Sequence, residues 1–561
     1  MFVLRFEINF GTLLSKNSEQ FVHDAQDTRV EFVENTDNVI LKEKKVCFLS
    51  LGCKVNAYET EMFREQFEKA GAVTIPFEAG NADIVVINTC SVTNVADRKS
   101  RQMLHRARKL SPDAVIVATG CYVQAVGEDT VASQDADVAA GNDRKSEVIA
   151  LAAKYLKEIA GSSKVRGTEP AGSSIVLKTE PAVSSKARET EPAGITGTSE
   201  DKATDVSTKM SAVENPDMQV GTVMSGADTP ETDDMTGCHE RTRAFIKVTD
   251  GCNQFCAYCI IPYVRGRVRS RSVEDVTKEV IKLRDSGYRE VVLTGIHLSS
   301  YGADSDNYEK AVANGFNGKP LLELIDAVSA IDGIDRIRLG SLEPRIITED
   351  FIGKLKNNPK VCPHFHLSLQ SGSDTVLKRM KRHYTTADYE NACRIIRDAY
   401  ELPSINTDII VGFPQETDGE FQQTLEFAEK TGVAKIHIFK YSRRKGTLAD
   451  KMLGQIDENV KNKRSALLKK IDQENHLRYI RGFVGKNVTI LTEQEENIVP
   501  ENGEMLSGTD TALFMTGLTE RYVKVAVPAA GIGQNCFVRC NISGISADGI
   551  LIGNIIKNGD A

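Results

Sequence analysis

No stretch of the sequence approaches 18 consecutive apolar residues, so a membrane-spanning helix is not expected. The first 40 residues carry Arg5 and Glu7 early and lack the pattern of a cleavable signal, which reads as a cytoplasmic protein. Disulfides are rare in that compartment, so the 12 cysteines are expected as ligands or buried thiols. Aromatic residues are absent from 161–237, where a Thr-Glu-Pro-Ala phrase recurs from Thr168 and Thr179 and its Glu-Pro-Ala core again from Glu191. Such a segment buries too little apolar area to offset chain ordering and reads as a disordered linker. Residues 161–240 hold 14 acids against 7 bases, so most of the net charge of −8 lies there and says little about the folded surface. RRM and KH signatures are also missing, so any RNA contact would rest on shape and phosphates.

The linker divides the chain into an extension (1–44), a first domain (45–160), a core (238–481) and a C-terminal domain (482–556). In the first domain, strand-like Lys45–Ser50, Asp83–Asn88 and Ala114–Ala118 alternate with helix-like Asn56–Ala70 and Val95–Leu110. This alternation predicts a parallel sheet with crossover helices. In the core, six strand-like runs (Arg243–Val248, Glu290–Thr294, Arg336–Gly340, His364–Leu369, Asn406–Gly412 and Lys435–Tyr441) predict a partial (βα)6 barrel. A charged helix follows from Asp457 to Arg481. Short alternating runs from Asn487 to Ile556 predict a small antiparallel barrel.

Cys252, Cys256 and Cys259 form a Cys-x3-Cys-x2-Cys loop just after the first core strand. Three thiolates at this spacing can hold three irons of a [4Fe–4S] cubane and leave the fourth iron open. A structural zinc would want a fourth ligand that the run does not offer. The loop resembles that of radical S-adenosylmethionine (SAM) enzymes, in which SAM fills the open iron. Strand ends then supply candidate SAM contacts: Gly295, Ser341, Glu343, Gln370, Ser371 and Gly412. Each by itself is equally an ordinary turn residue.

A second set, Cys53, Cys90 and Cys121, directly follows the three strands of the first domain, where loops of an open α/β sheet converge. It is a metal or cluster site, or three buried thiols. Cys47, Cys238, Cys362, Cys393, Cys536 and Cys540 read as ordinary thiols. Three basic clusters are solvated helix faces or a phosphate track. They are Arg265, Arg267, Arg269 and Arg271, the run from Arg98 to Lys109, and the run from Lys378 to His383.

The whole chain outside 1–44 and about 161–237 resembles the radical-SAM methylthiotransferase family. The phrases Leu-Gly-Cys-Lys-Val-Asn-x-Tyr-Glu-Thr-Glu at 51–61 and Ala-Asp-Arg-Lys-Ser-Arg-Gln at 96–102 resemble its branch acting on N6-threonylcarbamoyladenosine 37 of tRNA. Residues 515–525 resemble the TRAM core, which adds Arg521 and Lys524 as RNA contacts. The resemblance implies two [4Fe–4S] clusters, on Cys252, Cys256 and Cys259 and on Cys53, Cys90 and Cys121. It also implies SAM, the tRNA anticodon loop, an electron donor of flavodoxin or ferredoxin type and a sulfur source. Within the family the alternatives are isopentenyladenosine 37 and a ribosomal-protein side chain. Outside it, the alternative is a non-catalytic iron–sulfur RNA-binding protein.

Overall fold

The computed structural model describes residues 40–133, 136–161, 242–303, 318–498, 513–529 and 531–556. The expected linker and Cys238 lie outside the described residues, as do 1–39. No helix among the described residues is long and apolar enough to cross a membrane.

The first domain is a five-stranded parallel sheet in the order β2-β1-β3-β4-β5. Its strands are β1 (Lys45–Ser50), β2 (Val73–Thr74), β3 (Ile84–Thr89), β4 (Val115–Gly120) and β5 (Val138–Ala140). The central strands show no in-and-out alternation: every residue of β3 and β4 is buried, as expected where helices cover both faces. Leu41, assigned to the extension from sequence, is fully buried with Val46, Phe67 and Tyr155 in one of the two cores.

The core domain has parallel strands β6 (Arg243–Asp250), β8 (Glu290–Gly295), β9 (Arg336–Leu339), β10 (Ser341–Leu342), β11 (His364–Leu367), β12 (Ser404–Val411) and β13 (Lys435–Lys440). A short β7 (Arg269–Ser270) runs antiparallel to β6. The expected third strand is split at Gly340, whose amide still donates to Leu293 O at 2.9 Å while Ser341 turns to pair with His366. A side chain at Gly340 would meet that Leu293 carbonyl at 3.1 Å. The barrel is therefore two sheets, β7-β6-β8-β9 and β10-β11-β12-β13, joined along this broken strand and open between β6 and β13.

The last domain is a closed barrel in the order β14-β15-β16-β18-β17. Its strands are β14 (Asn487–Asn497), β15 (Leu513–Thr519), β16 (Lys524–Pro528), β17 (Phe537–Ile545) and β18 (Leu551–Ile555). It corrects the expectation of a wholly antiparallel barrel, because β16 and β18 pair in parallel. Five strands in a ring cannot alternate direction all the way round, so one pair has to run parallel.

Buried charges fix the three units together. Arg265 of the core donates to Glu59 Oε1 (3.0 Å) and Asn56 Oδ1 (2.5 Å) of the first domain and to its own Asp250 (2.9 Å). Lys247 (3.0 Å) and Lys145 complete the shell around Glu59. Arg444 reaches Ser91 and Asp97 of the first domain, both at 2.7 Å. Beneath the core, Arg338 binds the fully buried Glu290 (2.9 Å) and donates to the Glu520 and Thr519 carbonyls of the last domain.

Burial alone would raise the Glu59 carboxyl, but Lys145, Arg265 and Lys247 hold it well below its ordinary value. Glu59→Gln removes the anion that Lys145, Arg265 and Lys247 share. It should destabilise the first urea transition by about 3–5 kcal/mol, the cost of breaking a buried ion pair from one side. A wild-type midpoint would show that the contact does not hold the domains.

Candidate functional site

The loop after β6 places Cys252, Cys256 and Cys259 on one wall of a cavity of about 190 Å³. Gln254, Tyr258, Ile296, His297, Ser341, Glu343, Ser368, Gln370 and Arg382 line it as well. The loop is held by backbone bonds: Cys252 N to Gly266 O (3.1 Å), Ala257 N to Met380 O (3.0 Å) and Cys259 N to Cys256 O (3.0 Å). Phe255 takes φ 46°, turning the chain between the first two thiols. Donors meet two of the sulfurs. Arg382 Nη1 lies 3.1 Å from Cys256 Sγ, and the Gln254 amide lies 3.5 Å from Cys252 Sγ. Burial pushes the Cys252 thiol up to about 12 and Cys259 higher, so thiolates here need a metal to form.

Glu343 lines the same cavity. Its carboxylate accepts from Gln254 Nε2 (2.8 Å), His297 Nε2 (3.2 Å) and Arg345. Burial would raise this group, but hydrogen bonds from His297 and Arg345 hold it at about 2. The cavity thus holds three thiols and a fixed anion that is tied to the thiol loop through Gln254.

The second triad stands at the carboxyl ends of β1, β3 and β4. Asn56 ties two of these loops, donating to Leu51 O (2.7 Å) and Thr89 O (2.9 Å). Gly52 brings the Cys53 loop against Cys90, and with φ +99° a side chain there would meet Cys90 Sγ at 2.5 Å. Asn142 Nδ2 donates to Cys121 Sγ at 3.5 Å. Burial pushes the Cys90 thiol up to about 12, reinforced by the neighbouring Cys121 and Cys53 sulfurs. Among the described residues, the one group whose three donor atoms all lie within 4.8 Å of one another is His366, Asp408 and His437. Both cysteine triads are more open than that, which suits thiolates on separate irons of a cluster better than thiolates on a single ion.

The triads are neighbours across the domain boundary. The helix Cys121–Val126 packs on Ile261–Val264, the turn that follows Cys259, and Asn142 donates to Val264 O at 2.7 Å.

Several candidates from sequence are displaced. Ser341, Glu343 and Gln370 line the cavity; Gly295, Ser371 and Gly412 do not. Gly295 is one residue short of the lining Ile296. Ser371 is fully buried behind the wall, its hydroxyl against Thr424 Oγ1 (3.3 Å), and the Gly412 amide donates to Glu416 (2.6 Å). Of the arginines that follow the loop, Arg267 and Arg269 are exposed. Arg267 lies over the Phe255 ring at 4.6 Å. Arg265 is buried in the domain contact, and Arg271 is engaged by Glu279 (2.6 Å) and Tyr58 (3.0 Å), so neither is placed for a phosphate. Arg521 is bound to the Leu402 and Glu401 carbonyls and Lys524 to Glu496. Sequence reasoning missed His297, Gln254 and Arg382 as cavity residues. Arg382 was visible only as part of a basic run.

Residues 246–428 match the radical SAM superfamily, and 45–141 match an uncharacterized protein family, UPF0004. These matches and the cavity define the class: an iron–sulfur enzyme that uses SAM. The chain is 34% identical to the threonylcarbamoyladenosine tRNA methylthiotransferase MtaB of Bacillus subtilis, over 86% of this chain and 89% of that one. It is 34% identical to its namesake in Aquifex aeolicus, over 82% and 95%. A tRNA-2-methylthio-N(6)-dimethylallyladenosine synthase of Caldicellulosiruptor saccharolyticus is 29% identical over 87% and 88%. The chain belongs to the radical-SAM methylthiotransferase family, whose members use SAM and two [4Fe–4S] clusters.

The Glu343 carboxyl, ordinarily near 4.5, sits near 2 in the fold. A lowered carboxyl stabilises the fold above its unfolded value and loses that stabilisation as pH falls through the folded one. Glu343 should therefore contribute about 3 kcal/mol above pH 4.5, fading toward pH 2. Urea midpoints of wild type and Glu343→Gln, measured from pH 7 down to 3, should converge as pH falls. A constant gap would contradict the assignment.

Proposed function

We propose that this protein methylthiolates C2 of the adenine in N6-threonylcarbamoyladenosine 37 of tRNA, with Cys252, Cys256 and Cys259 holding one [4Fe–4S] cluster and Cys53, Cys90 and Cys121 the other. The observation that carries the proposal is the placing of two open thiol triads on adjoining faces of the domain boundary. When bound, the first cluster with SAM supplies the radical and methyl chemistry, and the second supplies the sulfur.

The chain's own residues prepare that chemistry. Arg382 and the Gln254 amide donate to thiolate sulfur, which tunes a cluster's potential. Glu343, ionised at every working pH, offers negative charge in the cavity to an ammonium group. Buried Arg265 stands beside Cys121 and Cys53 and offsets thiolate charge there. The adenine has to be presented unstacked, which an anticodon loop allows at low cost. Exposed Arg267 and Arg269, together with Arg98, Arg101, His105 and Lys109 on the helix Asn94–Leu110, supply a basic surface for backbone phosphates. The C-terminal barrel acts as a TRAM-type RNA-binding module. An electron donor of flavodoxin or ferredoxin type and a sulfur source complete the cycle, in the cytoplasm.

Two measurements test the assignment. Replacing Cys53, Cys90 and Cys121 together by Ala should leave about half the iron. It should preserve 5′-deoxyadenosine formation under reducing conditions and abolish the 2-methylthio product. Continued methylthiolation by that variant would show that the sulfur does not pass through this triad. In cells lacking the protein, mass spectrometry of tRNA nucleosides should show unmodified-at-C2 threonylcarbamoyladenosine in place of its 2-methylthio form. Loss of the 2-methylthio isopentenyl nucleoside instead would move the protein to the other tRNA branch.

A further inference from the structure

The barrel lumen carries polar side chains that the chemistry above leaves unused. Along β11, β12 and β13 the residues Phe365, Leu367, Ile405, Ile409 and Ile436 are buried in the core cluster. The residues alternating with them, His366, Asp408 and His437, are only half-buried and face the lumen. His366 Nε2 lies 3.0 Å from Asp408 Oδ2, and the His366 and His437 rings stack at 5.5 Å. Ser368, two residues along the same face of the chain, lines the cavity of the thiol loop. At about 3.3 Å per residue, His366 is roughly 7 Å below that cavity.

Lys54 reaches this lumen from the first domain. It directly follows Cys53, and its Nζ stands 5.8 Å from the Phe245 ring of β6 and 5.8 Å from the Tyr522 ring at the lumen floor. His364, one inward position below His366, is kept neutral by burial and by the charges of Arg338, Lys54, His366 and His437, so these groups share one space. The lumen therefore holds a cation carried beside one thiol triad, and two imidazoles and a carboxylate just below the other.

On the substrate proposed above, a base whose C2 is addressed from both triads lies between them, where the lumen is open to its N6 arm. The threonylcarbamoyl arm has a free carboxylate, a hydroxyl and urea N–H groups. An isopentenyl arm has only hydrocarbon. We infer that Lys54, His366, Asp408 and His437 form the subsite for the threonylcarbamoyl arm. Lys54 faces its carboxylate, and Asp408 and the imidazoles serve its hydroxyl and urea. The inference rests on the substrate proposed above and names what selects it. An apolar arm would displace water from these polar groups and return no hydrogen bond, the strongest form of discrimination a site can make. The same three donors have the closeness a metal ion requires. However, Asp408 is already engaged by His366 and lies in the fields of His437 and Arg382, and the Lys54 ammonium shares the space, a poor setting for a second cation.

The test uses full-length protein with both clusters reconstituted and anticodon stem-loops bearing threonylcarbamoyladenosine, its carboxylate methyl ester, or isopentenyladenosine. Dissociation constants and kcat/KM are measured for each, with iron content as the control for folding. Wild type should favour the free acid over the ester by at least about tenfold, as expected for a charged hydrogen bond. Lys54→Met should keep its iron and lose that preference, to within about twofold. His437→Leu should weaken the free acid and narrow its lead over the isopentenyl stem-loop. A Lys54 variant that keeps the full acid-over-ester preference overturns this inference alone. So does a stoichiometric divalent ion that leaves with His437→Leu while the preference stays. A wild type that prefers the isopentenyl stem-loop overturns the substrate assignment as well.

Discussion

The Arg265 guanidinium is the contact on which the arrangement depends. It comes from the segment just after the Cys259 turn and is held by Asp250 in its own domain and by Glu59 and Asn56 in the other. Asn56 is also the residue that ties the loops of Cys53 and Cys90. One buried cation thus links the ends of two separate sheets and sets one triad beside the other. A buried ion cluster adds little net stability compared with apolar packing, because desolvation offsets much of the attraction. It is costly to separate, though, and it accepts only one geometry. That is what the proposed action of the two triads on one base requires.

The lower end of the core repeats the device. Glu290 is fully buried beneath Arg338, Arg243 and Arg336, and Arg338 and Arg336 direct their remaining donors to carbonyls of the C-terminal barrel. Tyr522 lies under Arg338 (4.8 Å) and Arg243 (5.3 Å) and closes the lumen floor. The C-terminal barrel is therefore docked by directional bonds as well as by an apolar seam, in which Leu402, Tyr479 and Ile480 of the core pack on the barrel's own cluster. Its Arg521, bonded to the Glu401 and Leu402 carbonyls, belongs to the same interface.

Strands were legible because their periodicity is local. β1 spans Lys45–Ser50 as the pattern predicts, and the six strands expected in the core domain shift by one or two residues at their ends. The break at Gly340 was not legible. It follows from the approach of Leu293, which lies on a different strand far earlier in the chain, and from the change of partner to β11. The parallel β16–β18 pair was hidden for a similar reason, since closure is a property of the ring and not of any one strand.

The same division holds at the site. The Cys-x3-Cys-x2-Cys spacing and the position of Cys53, Cys90 and Cys121 after strands were enough to nominate both triads, because ligand spacing within a loop and placement at strand ends are local facts. Which polar residues meet those thiols was settled by folding. Arg265 and Arg267 are two residues apart in one basic run, yet one is buried against Glu59 and the other is exposed over Phe255. Ser371 and Gln370 are adjacent, and with Gln370 in a left-handed conformation (φ 71°) one side chain meets Thr424 and the other lines the cavity. The sequence by itself determined the chemistry the chain can hold. The tertiary structure decided which charges are removed from water and paired, because that depends on partners brought in from other domains.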